Sequence, residues 1–565
     1  MNMRRAKIVA TLGPSSDTVE TIKELIQAGM NVARVNMSHG THEGHAKVIA
    51  NIREASKLAN KEVGVLLDLQ GPKIRVDKVS KALDLKDGEE WVIGQTKFAT
   101  DKKYEKYKDK FIPTIYENLV EDCHDGARIL FDDGLITAKA IKRDGDVYVI
   151  KVLVGGKLKS NKGINLPDCD VSAPSFTEKD RKDLMFGLGE GVDFVALSFV
   201  RKKEDVKEVK AILHSLKKNT PVVAKIEKPQ AIDNLSEIME AADVIMVARG
   251  DMGVEVGNHH VPSLQKEIIR KCNERGTPVI TATQMLESMT DNPTPTRAEA
   301  SDVANAIWDG TDAVMLSGES AAGKYPIEAV KMMGKIVLEA ERTPKERPFL
   351  RNLDLSNVNA AVMVAASMVA EKVYAAKILS VTESGNSCQK IAKFRPSTGV
   401  LGVTNKIETV RKISLYWGIE PYYLVNYKAD SFNFQKDVLQ KVKDDLSLKN
   451  GDKLVITRGD GRFFSHGSSN SVKVHVIKDR PKVIGGSDGL EIARDDAKRI
   501  LLDTNLCAGC QNCVSICPHD IWGVSDDAEK RTFIDESKIG ACTMDNQCID
   551  ACPTGAIEIH PNHQG

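Results

Sequence analysis

The stretch "VDFVALSFVRKKEDVKEVKAILHSLKKNTPVVAKIEKP", Val192 to Pro229, decides the fold. Two short apolar runs, VDFVALSF and PVVAKIE, flank a segment whose apolar residues Val206, Val209, Ile212 and Leu213 recur at helical spacing. Near-continuous apolar runs are what strands buried on both faces of a parallel sheet require. The unit repeats outward in both directions. KIVATL, NVARVNM and VGVLLDL lie before it; DVIMVAR, PVITATQ and DAVMLS lie after it. Eight runs, each except the third followed by a helical pattern such as DTVETIKELIQAG or SLQKEIIRKCNERG, predict a closed (β/α)8 barrel. A doubly wound open sheet is the alternative that periodicity leaves standing.

After the third run the character changes. "FDDGLITAKAIKRDGDVYVIKVLVGG" alternates apolar and polar residues between Asp-Gly turns, which predicts antiparallel hairpins. A β domain inserted over 71–167 would stand at the C-terminal end of a barrel strand, as a lid. The barrel then takes 1–70 and 168–342. A new α/β alternation (AAKILSVTES, TGVLGVTN, EPYYLV, DKLVITRG, VKVHVI) fills 343–480, a Gly/Asp-bearing linker 481–496, and a cysteine-rich domain 497–565.

At 565 residues the chain is too long for one core, and roughly three or four domains are expected. Lys+Arg and Asp+Glu both number 79, so no basic excess is available for nucleic acid. No apolar run is long enough to span a membrane, and the N-terminal residues show no signal-peptide pattern. The expectation is a cytoplasmic protein whose scattered cysteines (Cys123, Cys169, Cys272, Cys388) act as small buried apolar residues.

Polar residues gather where the apolar runs end. Arg34, Asn36 and Ser38 share one face of the second run; Asp68 ends the third; Lys225 and Glu227 share a face at the end of the fifth. Arg249-Gly250-Asp251, Thr283 and Ser317 follow the sixth, seventh and eighth. Any one could be an ordinary solvated strand end. Six together at the C-terminal ends of barrel strands mark an active site.

The segments RVNMSHG (34–40), DLQGPKIR (68–75), NKGINLP (161–167), AKIEKP (224–229), ARGDMGVE (248–255), TATQMLESM (281–289), PTRAEASDVANA (295–306) and LSGESAAGKYP (316–326) together resemble pyruvate kinase. The resemblance covers about 1–480 and implies phosphoryl transfer from phosphoenolpyruvate to ADP, giving pyruvate and ATP. It implies Lys225 as the catalytic lysine, Arg34 on the phosphoryl group and Thr283 orienting substrate. Ser317 falls in a proton-delivery network, and Asn36, His39, Arg75 and Lys162 lie on the nucleotide side. Glu227 and Asp251 suit Mg²⁺ (or Mn²⁺), a hard cation that keeps positions for substrate oxygens. The Arg249-Gly250-Asp251 turn opens a helix, where backbone N–H groups can take a carboxylate. A homotetramer is carried over from the family alone.

Many family members need K⁺ near the positions matching Asn36, Ser38 and Asp68, with Thr after the aspartate and Glu after Gly-Pro. This sequence has Leu69, Gln70 and Lys73 instead, and is similar to the family's potassium-independent group. A tethered ammonium at Lys73 can replace a free cation beside Asp68; a solvated lysine is the alternative. In "TESGNSCQKIAKF", Thr382, Ser384, Gly385 and Ser387 resemble the loop that takes a phosphorylated effector, though such a loop can also merely cap a helix.

Cys507, Cys510, Cys513 and Cys517-Pro518 spell C-x₂-C-x₂-C-x₃-C-P, the bacterial ferredoxin run. A second copy, Cys542, Asp545, Cys548 and Cys552-Pro553, carries Asp at the second ligand position. Zinc sites usually use separated C-x-x-C pairs. By resemblance to two-cluster ferredoxins, Cys507, Cys510, Cys513 and Cys552 would hold one [4Fe–4S] cluster. Cys517, Cys542 and Cys548, with Asp545 as a fourth ligand, would hold a [4Fe–4S] or [3Fe–4S] cluster. The appended domain reads three ways: an electron carrier serving a partner such as pyruvate:ferredoxin oxidoreductase, a redox sensor acting on the kinase, or a ferredoxin on an idle barrel scaffold.

Overall fold

The eight apolar runs form parallel strands β1 (Lys7–Thr11), β2 (Val32–Asn36), β3 (Gly64–Asp68), β4 (Phe194–Leu197), β5 (Val222–Ile226), β6 (Val244–Ala248), β7 (Val279–Ala282) and β8 (Ala313–Leu316) in this computed structural model. The structure describes residues 4–343, 358–424, 435–459, 469–477, 490–495, 497–504, 506–525 and 532–561. Strand β1 pairs with both β2 and β8, so the sheet closes on itself and the open-sheet alternative falls. Nearly every strand residue is buried, because side chains fill the barrel inside and helices cover it outside. Local signals set the helix ends. Thr18 caps Val19–Ala28, which stops at Gly29 (φ 123°), and Thr177 with Asp180 forms a capping box on Glu178–Gly189.

Between β3 and β4 the chain builds a six-stranded sheet in the order Ile164–Asn165, Arg128–Phe131, Ile136–Asp144, Val147–Val154, Glu90–Gln95, Phe111–Thr114. Its hairpins turn at Asp132, Asp133 and Gly134, all with positive φ, and at Gly145. It has its own apolar core around Ile93, Phe131, Ile150 and Leu158.

The chain divides into two compact units. The first holds the barrel and inserted sheet together with Ser384–Arg395 and Ile407–Pro421. Arg395 explains part of this: its buried guanidinium pairs with Asp312 at 2.7 Å and bonds Asn273 and the Gly310 carbonyl. In the second unit, β9 (Lys377–Val381) lies parallel between β10 (Val400–Thr404) and β11 (Lys453–Gly459), and β12 (Ser469–Val476) adds antiparallel to β11.

The cysteine domain is a pseudo-repeat. Leu490–Arg494, Lys498–Asp503 and Ile557–Pro561 make an antiparallel sheet, and Trp522–Val524 pairs with Thr532–Ile534. Helix Asn512–Ile516 is repeated by Gln547–Ala551. Left-handed residues recur at the same interval: Gly509 and Met544, Gln511 and Asn546, Asp520 and Gly555.

Candidate active site

Alternation along β2 puts Arg34 and Asn36 on one face. The Arg34 guanidinium donates from Nε and Nη2 to Asp68 Oδ2, each at 2.7 Å, and from Nη1 to Thr11 Oγ1 at 2.9 Å. Lys225, on β5, sends Nζ to Ser198 Oγ at 2.8 Å and lies 3.0 Å from Glu227 Oε1 and 3.4 Å from Asp68 Oδ1. These ends of β2, β3 and β5 thus bring Arg34, Asp68, Lys225 and Glu227 into one buried cluster.

Burial alone would discharge such groups. For Lys225 it pulls the pKa down, but Asp68, Glu227 and Asp251 outweigh it, and the ammonium is held above its ordinary range. Burial would raise Asp68; Lys225 and Arg34 overcome that and hold it below the carboxylate range. Glu227 goes the other way, raised by burial and by Asp251 against the pull of Lys225. Its Oε2 accepts the Phe199 N–H at 2.7 Å, while Oε1 faces the Lys225 ammonium at 3.0 Å. The Glu227 and Asp251 carboxylates, close enough for Asp251 to raise Glu227, are a donor set that a hard divalent cation fits.

Asp251 lies in the first turn of helix Arg249–Val256. The Gly250 N–H donates to Thr283 Oγ1 at 2.7 Å, and Thr283 and Gln284 both have left-handed backbone, at φ 71° and 54°. Strain of this kind persists where neighbours over-determine it. The Arg249 side chain turns away, to Asp302 at 2.7 Å and the Thr283 carbonyl at 2.7 Å, leaving the helix's backbone end to the site. Ser317 is placed by Glu319, whose Oε2 accepts its N–H at 2.7 Å.

In the cysteine domain, burial, Cys552 and Cys507 push the Cys513 thiol up to about 11; burial, Cys517 and Cys542 push Cys548 up to about 12. The thiols therefore neighbour one another in two sets that cross the repeat. Cys517, Cys542, Cys548 and Asp545 line one cavity. Asp545 stands where the repeat puts Cys510, both are exposed, and its carboxylate accepts from Thr543 Oγ1 at 3.0 Å and the Gln547 N–H at 3.1 Å. The Met544 N–H donates to Cys542 Sγ and the Ala556 N–H to Cys552 Sγ, at 3.4 and 3.3 Å. Among the described residues no three His, Cys, Asp or Glu side chains converge on a single-ion site.

A pyruvate kinase barrel-domain model matches residues 3–330, and a pyruvate kinase alpha/beta-domain model matches 360–475. The chain belongs to the pyruvate kinase family. The pyruvate kinase of Geobacillus stearothermophilus is 44% identical over 484 residues, spanning 84% of this chain and 81% of that relative. That of Staphylococcus aureus is 45% identical over 485 residues, with the same shares. A solved pyruvate kinase from Cryptosporidium parvum superposes with TM-score 0.77 at 34% identity, over 84% of this chain and 96% of that one. A third model, described as a 4Fe-4S dicluster domain, matches 506–557. The chain is thus a pyruvate kinase-type phosphotransferase carrying a 4Fe-4S domain, and the family implies Mg²⁺, phosphoenolpyruvate and ADP.

Within this pyruvate kinase framework, several expected residues sit toward the inserted sheet. Lys162 pairs with Asp132 at 2.7 Å, and Arg75 Nη1 donates to the Asn161 carbonyl at 2.9 Å. Lys73 lies 3.7 Å from Asp133 Oδ1, and Asp68 pairs with Arg34 and Lys225. Asn36 Oδ1 accepts the Ser38 N–H at 3.1 Å, and the His39 carbonyl faces His45 Nε2 at 2.8 Å. Gly385 (φ 88°) opens helix Asn386–Lys393, with Thr382 and Ser387 buried and Ser384 half-buried.

Sequence reasoning missed Ser198 and Phe199. The Ser198 hydroxyl bonds the Leu69 carbonyl at 2.7 Å while receiving Lys225, and Phe199 takes φ 54° to aim its N–H at Glu227. Gly71 (φ 70°) allows this, since a Cβ there would come within 2.8 Å of Phe199 and 2.9 Å of Ser198. Also missed was a buried link from the inserted sheet to the barrel: Asn165 Nδ2 and Lys228 Nζ both reach Glu255 Oε1, at 2.8 and 2.5 Å.

Proposed function

We propose that the chain makes pyruvate and ATP from phosphoenolpyruvate and ADP at the barrel rim, with Arg34 and Lys225 bracketing the transferring phosphoryl group. The observation that carries this reading is a buried lysine kept cationic by Asp68, Glu227 and Asp251. Such a group costs no reorganisation when negative charge moves from phosphoryl to enolate oxygen. Glu227 and Asp251 would hold Mg²⁺ (or Mn²⁺), which when bound neutralises substrate oxygens. Thr283, braced by the Gly250 N–H, orients substrate against the backbone of Arg249, Gly250 and Asp251; Ser317 belongs to the path returning a proton to the enolate. Asn36, His39, Arg75 and Lys162 serve the nucleotide side. Leu69, Gln70 and Lys73 favour turnover without K⁺ at the Asn36, Ser38, Asp68 position. A homotetramer, a cytoplasmic setting and a phosphorylated effector at Thr382, Ser384, Gly385 and Ser387 belong to the same reading, by family likeness. Among the described residues no helix is long and apolar enough to cross a membrane.

Lactate dehydrogenase-coupled turnover in K⁺-free choline buffer tests it. Activity there, unaffected by added KCl at constant ionic strength, is expected. No activity with or without K⁺ would sink the kinase reading, and strict K⁺ dependence would sink the Lys73 part alone.

For the C-terminal domain we infer two inequivalent clusters, one on Cys507, Cys510, Cys513 and Cys552, the other on Cys517, Cys542, Cys548 and Asp545. Their role is to sense redox state. An ion pair at 3.4 Å between Arg458, on β11, and Asp550, on the helix bearing Cys548, favours that role over electron carriage to a partner enzyme.

A further inference from the structure

Trp522 is a residue of the cysteine domain that packing alone does not explain. Counted from Cys517-Pro518, it stands where the second half-repeat, counted from Cys552-Pro553, has Ile557. Both side chains lie in the domain's apolar core, at 3% and 1% exposure. Isoleucine fills that place and carries no polar atom. Tryptophan brings an N–H as well, and a buried tryptophan usually finds an acceptor for it, because a donor left unpaired is costly. Trp522 Nε1 is buried with no oxygen or nitrogen acceptor within hydrogen-bond distance.

Its surroundings say what the acceptor is. The side chain lines the cavity it shares with Cys517, Cys542, Cys548 and Asp545. Asp545 is exposed, and its carboxylate is already taken by Thr543 Oγ1 and the Gln547 N–H. Cys517 and Cys542 are half-buried, and Cys548 is buried in the same apolar core as the indole. A donor buried on that cavity has sulfur for its acceptor. The backbone holds it there. Trp522 opens the strand paired at Ile534, the Ile521 carbonyl accepts the Asp535 N–H at 2.8 Å, and a Cβ on Gly523 would come within 2.3 Å of the Phe533 ring. Thiols with an uncommitted buried donor beside them fit an iron–sulfur group, whose sulfurs carry negative charge and accept hydrogen bonds. In the other set the groups near sulfur are hydroxyls: Thr554 Oγ1 is 3.4 Å from Cys552 Sγ, and Thr532 Oγ1 is 4.0 Å from Cys513 Sγ.

We propose that the Trp522 indole N–H donates to a sulfur of the cluster on Cys517, Cys542, Cys548 and Asp545 and raises that cluster's reduction potential. This role rests on the two-cluster reading above. Reduction adds one negative charge to the iron and sulfur, so a donor at sulfur stabilises the reduced form more than the oxidised one. Trp522 is thus a tuning residue, not a ligand, and it sets the potential at which this cluster changes state.

The test is a redox titration of the full, cluster-loaded chain under argon, wild type against Trp522→Phe, followed by low-temperature electron paramagnetic resonance. Phenylalanine keeps an aromatic ring and deletes the N–H. The Asp545-side cluster is read by its [3Fe–4S] signal after mild oxidation, and the Cys507-side cluster by its reduced [4Fe–4S] signal. At a fixed potential the reduced-to-oxidised ratio of the Asp545-side cluster should fall roughly tenfold in the variant, about 59 mV for a one-electron couple. The Cys507-side ratio should stay as in wild type. A second measurement needs no variant and decides the matter should Trp522→Phe not fold. With tryptophan carrying heavy nitrogen in its indole, pulsed resonance on the wild-type chain should show that nitrogen coupled to the unpaired spin of the Asp545-side cluster. An unchanged or raised potential in the variant, an equal shift at both clusters, or no nitrogen coupling in wild type would each overturn the hydrogen bond. About four irons per chain and no second signal in wild type would instead strike the two-cluster reading, and the indole's role with it.

Discussion

The barrel rim and the cysteine domain both bury groups that ionise, and they stabilise them in opposite ways. At the rim, Lys225 is matched by Asp68, Glu227 and Asp251 before any substrate arrives. In the cysteine domain, Cys513 and Cys548 are pushed up to about 11 and 12, each with other thiols as neighbours. What is prepared there is backbone: the repeated left-handed residues and the N–H groups aimed at Cys542 and Cys552. The rim carries its own countercharges, whereas the thiols await iron to supply theirs.

Lys225→Ala breaks the comparison hardest. It removes the cation that the cluster surrounds, and kcat should fall roughly a thousandfold with a much smaller change in KM for phosphoenolpyruvate. Near-normal kcat would remove Lys225 from the chemistry. Glu227→Ala and Asp251→Ala should each lower turnover roughly a hundredfold at ordinary Mg²⁺ and recover partly as Mg²⁺ is raised. Titrating activity against Mg²⁺ checks this, and curves no different from wild type would refute the assignment.

Asp545 sharpens the contrast from the other side. A carboxylate holds cluster iron less tightly than thiolate, so mild oxidation should give a [3Fe–4S] electron paramagnetic resonance signal that Asp545→Cys abolishes. Four irons per chain and no such signal would count against the second cluster.

Lys7 supplies the smallest effect and an internal control. It is also a buried barrel lysine, with Nζ 2.6 Å from the Ile419 carbonyl, but burial, Arg4 and Lys61 outweigh Glu420 and Glu341 and lower it to about 7. Folded Lys7 thus holds its proton less tightly than unfolded Lys7. That cost is present in full below pH about 7 and disappears as pH rises through the unfolded value of about 10.4. Lys7→Met should therefore raise Tm at pH 7, by the order of 1–2 kcal/mol in stability, and lose the advantage near pH 10. An advantage that grows with pH would contradict it.

The barrel was legible because strands buried on both faces must read as apolar runs, and the inserted sheet because Asp-Gly turns punctuate its hairpins. The rim was legible where function demands a charged side chain, as at Arg34, Asp68 and Lys225. It was illegible where backbone does the work. Nothing in the letters of Phe199 announces a left-handed residue aiming its N–H at Glu227. Nor do the letters announce that Lys73 lies 3.7 Å from Asp133 of the inserted sheet. Cys123 and Cys169 are buried in the inserted domain's apolar core, as scattered cysteines were expected to be.

We propose that the kinase site and the iron–sulfur domain act within one chain, the second biasing the first. One anaerobic preparation, assayed by lactate dehydrogenase coupling with its clusters first oxidised and then reduced, tests it most directly. The account predicts turnover in both states, with kcat or KM for phosphoenolpyruvate shifted reproducibly between them and the shift abolished by Arg458→Ala. Identical kinetics in the two states, with both clusters verified, would contradict it and leave the domain an electron carrier.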